Sequence, residues 1–252
     1  MTKRVRLRVA YDGTAYHGFQ VQKNALTVCQ VFQDALQAVF GERYDVKGCS
    51  RTDAGVHALG FQLNFHADTR IPMQKLPLAL NRFLPEDIRV LSAKQVADDF
   101  HARYSAHSKE YCYRIRNSAI DSPFDKAYYW RCTQPLDVKK MNLAAQDFVG
   151  KHNFSAFMSA GSSIVDTVRT VYRFSVTQQG EMVSCTVEAD GYLYNMVRIM
   201  CGTLVEIGTG KLPPEQVRIA LQSGNRQDAG ITLPPQGLFL SKVCYDVSEV
   251  EN

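Results

Sequence analysis

The sequence has no two cysteines in C-x-x-C spacing, no H-E-x-x-H or His-x-His pattern among its six histidines, and no apolar run of membrane-spanning length. Its seven cysteines, at positions 29, 49, 112, 132, 185, 201 and 244, are odd in number and widely scattered, which argues against a disulfide framework and against a zinc ribbon. They read as the reduced thiols of a cytoplasmic protein. No metal site is expected from the histidines. Gly208-Thr209-Gly210-Lys211 falls short of a phosphate-cradling loop, because the earlier glycine is missing and Leu212 stands where Ser or Thr is required. It reads as a helix end. Met1-Thr2-Lys3-Arg4-Val5-Arg6 enters a strand pattern directly, without an apolar leader core, so the expectation is a soluble protein that is neither exported nor embedded in a membrane. No internal sequence repeat is visible.

What is present is an ordinary globular mix, 252 residues with 45% hydrophobic and 21% charged side chains, enough for a sizeable core in one large domain or two small ones. A net charge of +4 is too mild by itself to mark a nucleic-acid binder. Clustering is more informative. Arg4, Arg6 and Arg8 alternate with Val5, Leu7 and Val9, so three guanidiniums line one face of a first strand, either as a solvated sheet face or as an RNA contact.

The most informative stretch runs from Gly48 to Ala58. Tyr44 to Gly48 reads as a short strand before it. After it, Phe61, Leu63 and Phe65 alternate with Gln62, Asn64 and His66 as in a half-buried strand. Asp53 followed by Ala54 and Gly55 suits a turn that holds a carboxylate at a fixed angle on the rim of a sheet. Such a loop on a rigid scaffold often carries function, although an Asx-turn satisfied by its own backbone is the plain alternative.

Taken in order, the chain predicts a polar loop over 11–24 and a helix behind Thr27 as N-cap, with Val28, Val31, Phe32, Ala35, Leu36, Val39 and Phe40 at helical spacing. A helix over 72–84 and a strand over 88–96 follow. Tyr111, Tyr113 and Ile115 then alternate in a long strand, before a loop around Pro123 and a helix over 137–149. Strands over 167–177 and 182–189, an apolar helix over 192–207, a short helix over 214–223 and a closing strand over 238–247 complete the pattern. This order defines an α+β fold, with a boundary near 103–109.

Arg198 lies among Leu193, Met196, Val197, Ile199, Met200, Leu204 and Val205 on a helix that is apolar almost all round. A guanidinium buried there needs a carboxylate or several hydrogen bonds, unless it snorkels to solvent or pairs with another acid such as Asp190. In Lys109-Glu110-Tyr111-Cys112-Tyr113-Arg114 aromatic and basic residues interleave, which suits a base drawn out of its stack, while alternating strand tyrosines are also ordinary core.

Ser50-Arg51-Thr52-Asp53-Ala54-Gly55-Val56-His57-Ala58 resembles the signature of the TruA-type tRNA pseudouridine synthases. Tyr11-Asp12-Gly13-Thr14, Tyr16-His17-Gly18-Phe19-Gln20, Phe100-His101-Ala102-Arg103, Lys109 to Tyr113, Tyr194 to Gly202, and Pro234-Pro235-Gln236-Gly237-Leu238-Phe239-Leu240 resemble further motifs of that family, in its order. One departure is Cys29-Gln30-Val31-Phe32, where the family usually opens a helix with glycine and glutamate; it puts only the helix start in question.

The resemblance implies two ferredoxin-like halves with antiparallel sheets forming a central cleft. Residues 1–104 carry the aspartate loop and 105–252 complete the site. It implies an isomerase that converts uridine to pseudouridine at positions 38, 39 and 40 of the tRNA anticodon stem-loop. Asp53 is the catalytic carboxylate in this reading and Arg198 its partner. Arg51 fills the space of the flipped base, Tyr111 is the active-site tyrosine, and Leu238 lies in the hydrophobic wall of the pocket. A cofactor-free homodimer that binds tRNA is expected. Two other classes stay open on residues alone: a non-catalytic RNA-binding module, and an aspartate-dependent nucleosidase.

Overall fold

The computed structural model describes residues 2–161 and 164–245. In chain order the elements are β1 (Thr2–Tyr11), α1 (Val28–Phe40), β2 (Lys47–Gly48), β3 (His57–Asp68), α2 (Leu76–Asn81), β4 (Ile88–Val96), β5 (Ala106–Asn117), β6 (Trp130–Cys132), α3 (Val138–Ala145), β7 (Gly150–Asn153), β8 (Val168–Gln179), β9 (Met182–Ala189), α4 (Met196–Gly208), α5 (Gln216–Ser223) and β10 (Leu238–Tyr245). Helices and strands are mixed and most strand pairs are antiparallel, which makes the fold α+β. The closing strand expected to reach 247 is described to Tyr245, and 246–247 lie outside the described residues. By internal contact the chain forms two compact units, residues 2–108 with 239–245, and residues 109–238.

In the first unit the strands run β4-β1-β3-β10, with β2 added on β3. Register places Val5 opposite Phe65, Leu7 opposite Leu63 and Val9 opposite Phe61, so one face is a continuous apolar layer. Those six side chains are all buried. Helix α1 brings its own apolar stripe, Val28, Phe32, Ala35 and Leu36, and its Phe40 ring lies 6.3 Å from Phe65. Thr27 caps the helix by accepting from the Gln30 amide, so the start questioned by Cys29-Gln30 is sound.

The other face departs from expectation. Gln62 and Asn64 of β3 are buried as well, at 8% and 2% exposure, and the segment after β4 bonds the second of them. Asn64 Oδ1 accepts from the Ala102 amide at 2.7 Å, and Arg4 donates to the Phe100 carbonyl. Arg6 is half-buried, with Phe100 and Tyr245 ring centroids 5.7 and 5.4 Å from its guanidinium carbon. Of the three arginines only Arg8 is exposed.

Two further expectations shrink. Strand pairing before the Asp53 loop is confined to Lys47–Gly48, because Tyr44 instead packs its ring edgewise on Phe40 and Phe65. The helix expected over 72–84 is a 3-10 turn at Met73–Lys75 followed by the six residues of α2, and it stops where the Asn81 side chain bonds both the amide and the carbonyl of Val90.

In the second unit the order is β5-β9-β8-β7, with β6 parallel to β5. Val183, Cys185, Val187 and Ala189 alternate inward along β9, and Tyr111, Tyr113 and Ile115 do so along β5. Helix α4 is buried along most of its length, as its composition requires. It starts at Met196 rather than near 192, because Asn195 takes a left-handed conformation, φ 60°, and ends the preceding loop. The helix expected over 137–149 is α3 followed by a 3-10 turn at Gln146–Phe148.

Candidate active site

Asp53 sits at the first position of a tight turn closed by the Val56 amide, which donates to the Asp53 carbonyl at 3.2 Å. Gly55 supplies the positive φ, 76°, that the third position of such a turn requires. Asp53 is half-buried, four residues before β3 begins at His57. What fixes this turn is the loop that follows β1. The Phe19 amide donates to the Thr52 carbonyl at 3.2 Å, and the Gly55 amide donates to the Tyr16 carbonyl at 3.1 Å. Between them, the Tyr11 and Thr52 hydroxyls share a buried hydrogen bond of 2.8 Å.

Asp53 is thereby braced through the residues on either side of it. Gly13 is indispensable to the fit: a Cβ there would fall 2.0 Å from the Val56 carbonyl oxygen. Gly18 likewise has no room for a side chain, its Cβ site being 2.3 Å from the Thr52 carbonyl oxygen.

A second layer holds the brace. Buried His57, stacked on Phe239 with centroids 4.7 Å apart, accepts at Nδ1 from the Gly13 amide at 3.1 Å. Asp12 Oδ1 is also 3.1 Å from that nitrogen, but one nitrogen cannot accept from Gly13 and donate to Asp12 together. Thr14 supplies hydrogens to Asp12 Oδ1 from its amide and hydroxyl, at 2.9 and 2.5 Å, so the bond to Gly13 is the consistent assignment. The Tyr16 hydroxyl donates to Asp87 at 2.7 Å; burial and this carboxylate push its pKa up.

The second unit holds three of the residues singled out from the sequence. Arg198 is half-buried rather than enclosed. Its Nε donates to the Leu233 carbonyl and its Nη1 to Asn195 Oδ1, both at 2.6 Å. These two acceptors set the plane of the guanidinium. Asn195 is itself held by Ser159 at 2.9 Å, and the Tyr113 hydroxyl donates to the Pro234 carbonyl at 2.7 Å. The 233–238 segment is thus pinned from below by Arg198 and Tyr113.

Tyr111 is buried, with Tyr192 standing edgewise to it at 5.0 Å. The Tyr192 hydroxyl is shared between the Lys109 and Val187 carbonyls at 2.8 and 3.0 Å, and burial pushes its pKa well up. Leu238, 5% exposed, opens β10 behind the 3-10 turn Pro235–Gly237.

Asp53 and Arg51 therefore belong to the first unit, with Arg51 exposed, and Tyr111, Arg198 and Leu238 to the second. The sequence reading missed the brace of Tyr11, Thr52 and His57 and the anchors Asn195 and Tyr113. The glycines of the two opening motifs were the available signal. Among the described residues no group of three or more His, Cys, Asp or Glu is placed to hold a metal ion, and no helix is long and apolar enough to cross a membrane.

Comparison places the chain in a known family. A family model described as tRNA pseudouridine synthase matches residues 8–105 and 144–246, which include the Asp53 loop and its brace, Arg198 and Leu238. The chain belongs to that family, enzymes that isomerise uridine to pseudouridine in tRNA. It is similar to tRNA pseudouridine synthase A of Thermoanaerobacter sp. strain X514, 49% identical over 96% of this chain and 100% of that protein. It is also similar to tRNA pseudouridine synthase A of Acetivibrio thermocellus, 44% identical over the same shares. Among solved structures, a chain from a Cbf5-Nop10-Gar1 complex aligns over 94% of this chain and 48% of its own at 13% identity, with a TM-score of 0.38, too low to carry an argument.

Proposed function

We propose that this enzyme acts on uridines 38, 39 and 40 of the tRNA anticodon stem-loop, with Asp53 as the catalytic carboxylate. The observation that carries the role of Asp53 is the brace, since Thr52 and Gly55, on either side of it, are each bonded to the loop after β1. A carboxylate held in this way loses little freedom on meeting a substrate.

The reaction breaks the N1–C1′ bond, turns the uracil and joins C5 to C1′; the C5 hydrogen leaves as a proton to water, and N1, freed from the sugar, takes up a proton in its place. Atoms balance without redox change, hydrolysis or energy input, so the chemistry asks for no cofactor and no metal. An ionised Asp53 serves either route, attack as a nucleophile or removal of the C2′ proton to give a glycal. Arg198 keeps Asp53 ionised and oriented, since a nearby cation lowers a carboxylate pKa. The base must leave its stack to react. Arg51 then fills the vacated space, Tyr111 offers its ring to the uracil, and Leu238 forms the apolar wall.

The same reading takes the chain as two ferredoxin-like halves, expected at 1–104 and 105–252, although the closing strand over 239–245 packs with the first unit. It takes the protein as a cytoplasmic homodimer whose tRNA contacts draw on both subunits. Mapping pseudouridine in an unmodified tRNA transcript after incubation tests the proposal. Modification at 38, 39 or 40 is expected, and modification only elsewhere overturns the site assignment. Free uracil released without pseudouridine marks a nucleosidase instead.

A further inference from the structure

The turn between β4 and β5 carries chemistry that the Asp53 site leaves unused. It is closed twice, by the Ser105 amide donating to the His101 carbonyl at 2.9 Å and the His101 amide donating to Ser105 Oγ at 3.2 Å. His101 Nδ1 accepts from the amides of Arg103 and Tyr104 at 3.1 and 3.4 Å, which locks the imidazole in place. On this rigid turn Tyr104 is 77% exposed. The His101 ring backs it at 4.4 Å, tilted by 36°, and the Arg103 guanidinium stands 5.7 Å from its centroid.

Positive charge gathers around the turn. His101 has its pKa pushed down, first by burial and then by the charges of Lys47, Arg4 and Arg103. Lys47 is paired with Asp45 at 2.7 Å and Arg4 is oriented toward His66 and the Phe100 carbonyl, while Arg103 is the cation that stands beside Tyr104.

Single exposed aromatics are common and by themselves mean little. Phe124 is more exposed still, at 93%, but it lies between Asp121 and Asp125, which would repel a phosphate backbone. Tyr104 differs in both respects that matter, a ring backed by a partner and a cation beside it. Stacking on such a ring is tolerant of base identity, and a pre-ordered ring loses little side-chain freedom on binding.

We propose that Tyr104, backed by His101 and flanked by Arg103, is a stacking platform for an unpaired nucleotide of the tRNA substrate. Arg103 meets the adjoining phosphate. The inference rests on the tRNA reading above and extends it to a surface of the first unit outside the Asp53 loop and its brace.

Binding of an unmodified tRNA transcript, followed by fluorescence anisotropy over a salt series, tests it. Tyr104→Ala should raise Kd by about 5- to 150-fold, the range for losing one base–aromatic stack. Tyr104→Trp should bind within about threefold of wild type, because the π-face remains. Arg103→Ala should flatten the slope of log affinity against log salt by roughly 0.7 to 0.9, and Arg103→Lys should restore it. Thermal unfolding and sedimentation check that each variant keeps its fold and oligomeric state.

A Kd for Tyr104→Ala within twofold of wild type overturns the platform. So does a changed oligomeric state with unchanged tRNA affinity, which would assign the surface to a protein contact. Pseudouridine formation by the wild-type protein in the same transcript keeps the two readings apart. If none forms, the tRNA reading fails whatever Tyr104 does; if it forms while Tyr104→Ala binds normally, only the platform fails.

Discussion

Replacing Gly13 by alanine tests whether the loop after β1 positions Asp53. The new Cβ would lie 2.0 Å from the Val56 carbonyl oxygen and 2.6 Å from its carbon, both backbone atoms that cannot rotate away. Ordinary contact needs about 3.5 Å, so the two backbones must part by roughly 1 to 1.5 Å. Val56 is the residue whose amide closes the turn on Asp53, and the displacement passes directly to the carboxylate. Overpacking of this kind costs about 1–3 kcal/mol, and a misplacement near 1 Å costs about 100-fold in rate.

The control is Gly41→Ala. Gly41 has φ 83° and nothing within 4 Å of its Cβ site, so it carries about 1–2 kcal/mol of left-handed strain and no clash. Single-turnover pseudouridine formation at saturating tRNA, read beside thermal unfolding, should show Gly13→Ala about 100-fold slow while Gly41→Ala, similarly destabilised, keeps the wild-type rate. A folded Gly13→Ala protein at the wild-type rate refutes the brace, as would a Gly41→Ala protein equally slow.

Arg198→Leu should lower turnover far more than it lowers the unfolding temperature. Its loss strands the Leu233 carbonyl and Asn195 Oδ1, worth about 1–3 kcal/mol each where buried, but leucine suits an apolar helix and removes the desolvation cost. Denaturant unfolding and turnover measured together would contradict this if stability fell and turnover held. Arg6→Ala should weaken the fold by about 0.5–2 kcal/mol through loss of the Phe100 and Tyr245 rings, and leave the salt dependence of tRNA binding unchanged; a flattened salt slope would restore Arg6 to the RNA surface. Tyr113→Phe removes the bond to the Pro234 carbonyl and should cost about 0.5–1.5 kcal/mol by denaturant melt, with an unchanged melt as the contrary result.

Local rules made much of the fold legible. Alternation gave β9 and β4 at their observed bounds, and the hydroxyl of Thr27 marked the start of α1. Expectations failed where a distant partner decides the local structure. Tyr44 leaves the strand to pack on Phe40 and Phe65, and Asn81 ends α2 by bonding Val90. The arginine face of β1 read as a solvated surface or an RNA contact, but whether Arg6 meets water depends on Phe100 and Tyr245, the latter more than 200 positions further on. For the candidate site, residue type and spacing singled out Asp53 and Arg198, and the family resemblance supplied the roles proposed for them. The brace could not be read that way, because Gly13 matters only through the Val56 carbonyl, and nothing in either residue type announces that approach.

Release of the C5 hydrogen from target uridines into water tests the central claim most directly, because C5 becomes the new glycosidic atom and neither a nucleosidase nor a binding module frees it. With tritium at C5 of uridine in an unmodified tRNA transcript, the wild-type protein should release label into solvent, in chelator as well as without it. Asp53→Asn, bound to the same tRNA, should release about 10³-fold less or slower. Release by Asp53→Asn at the wild-type rate, or none by the wild-type protein from any folded tRNA, would contradict the account.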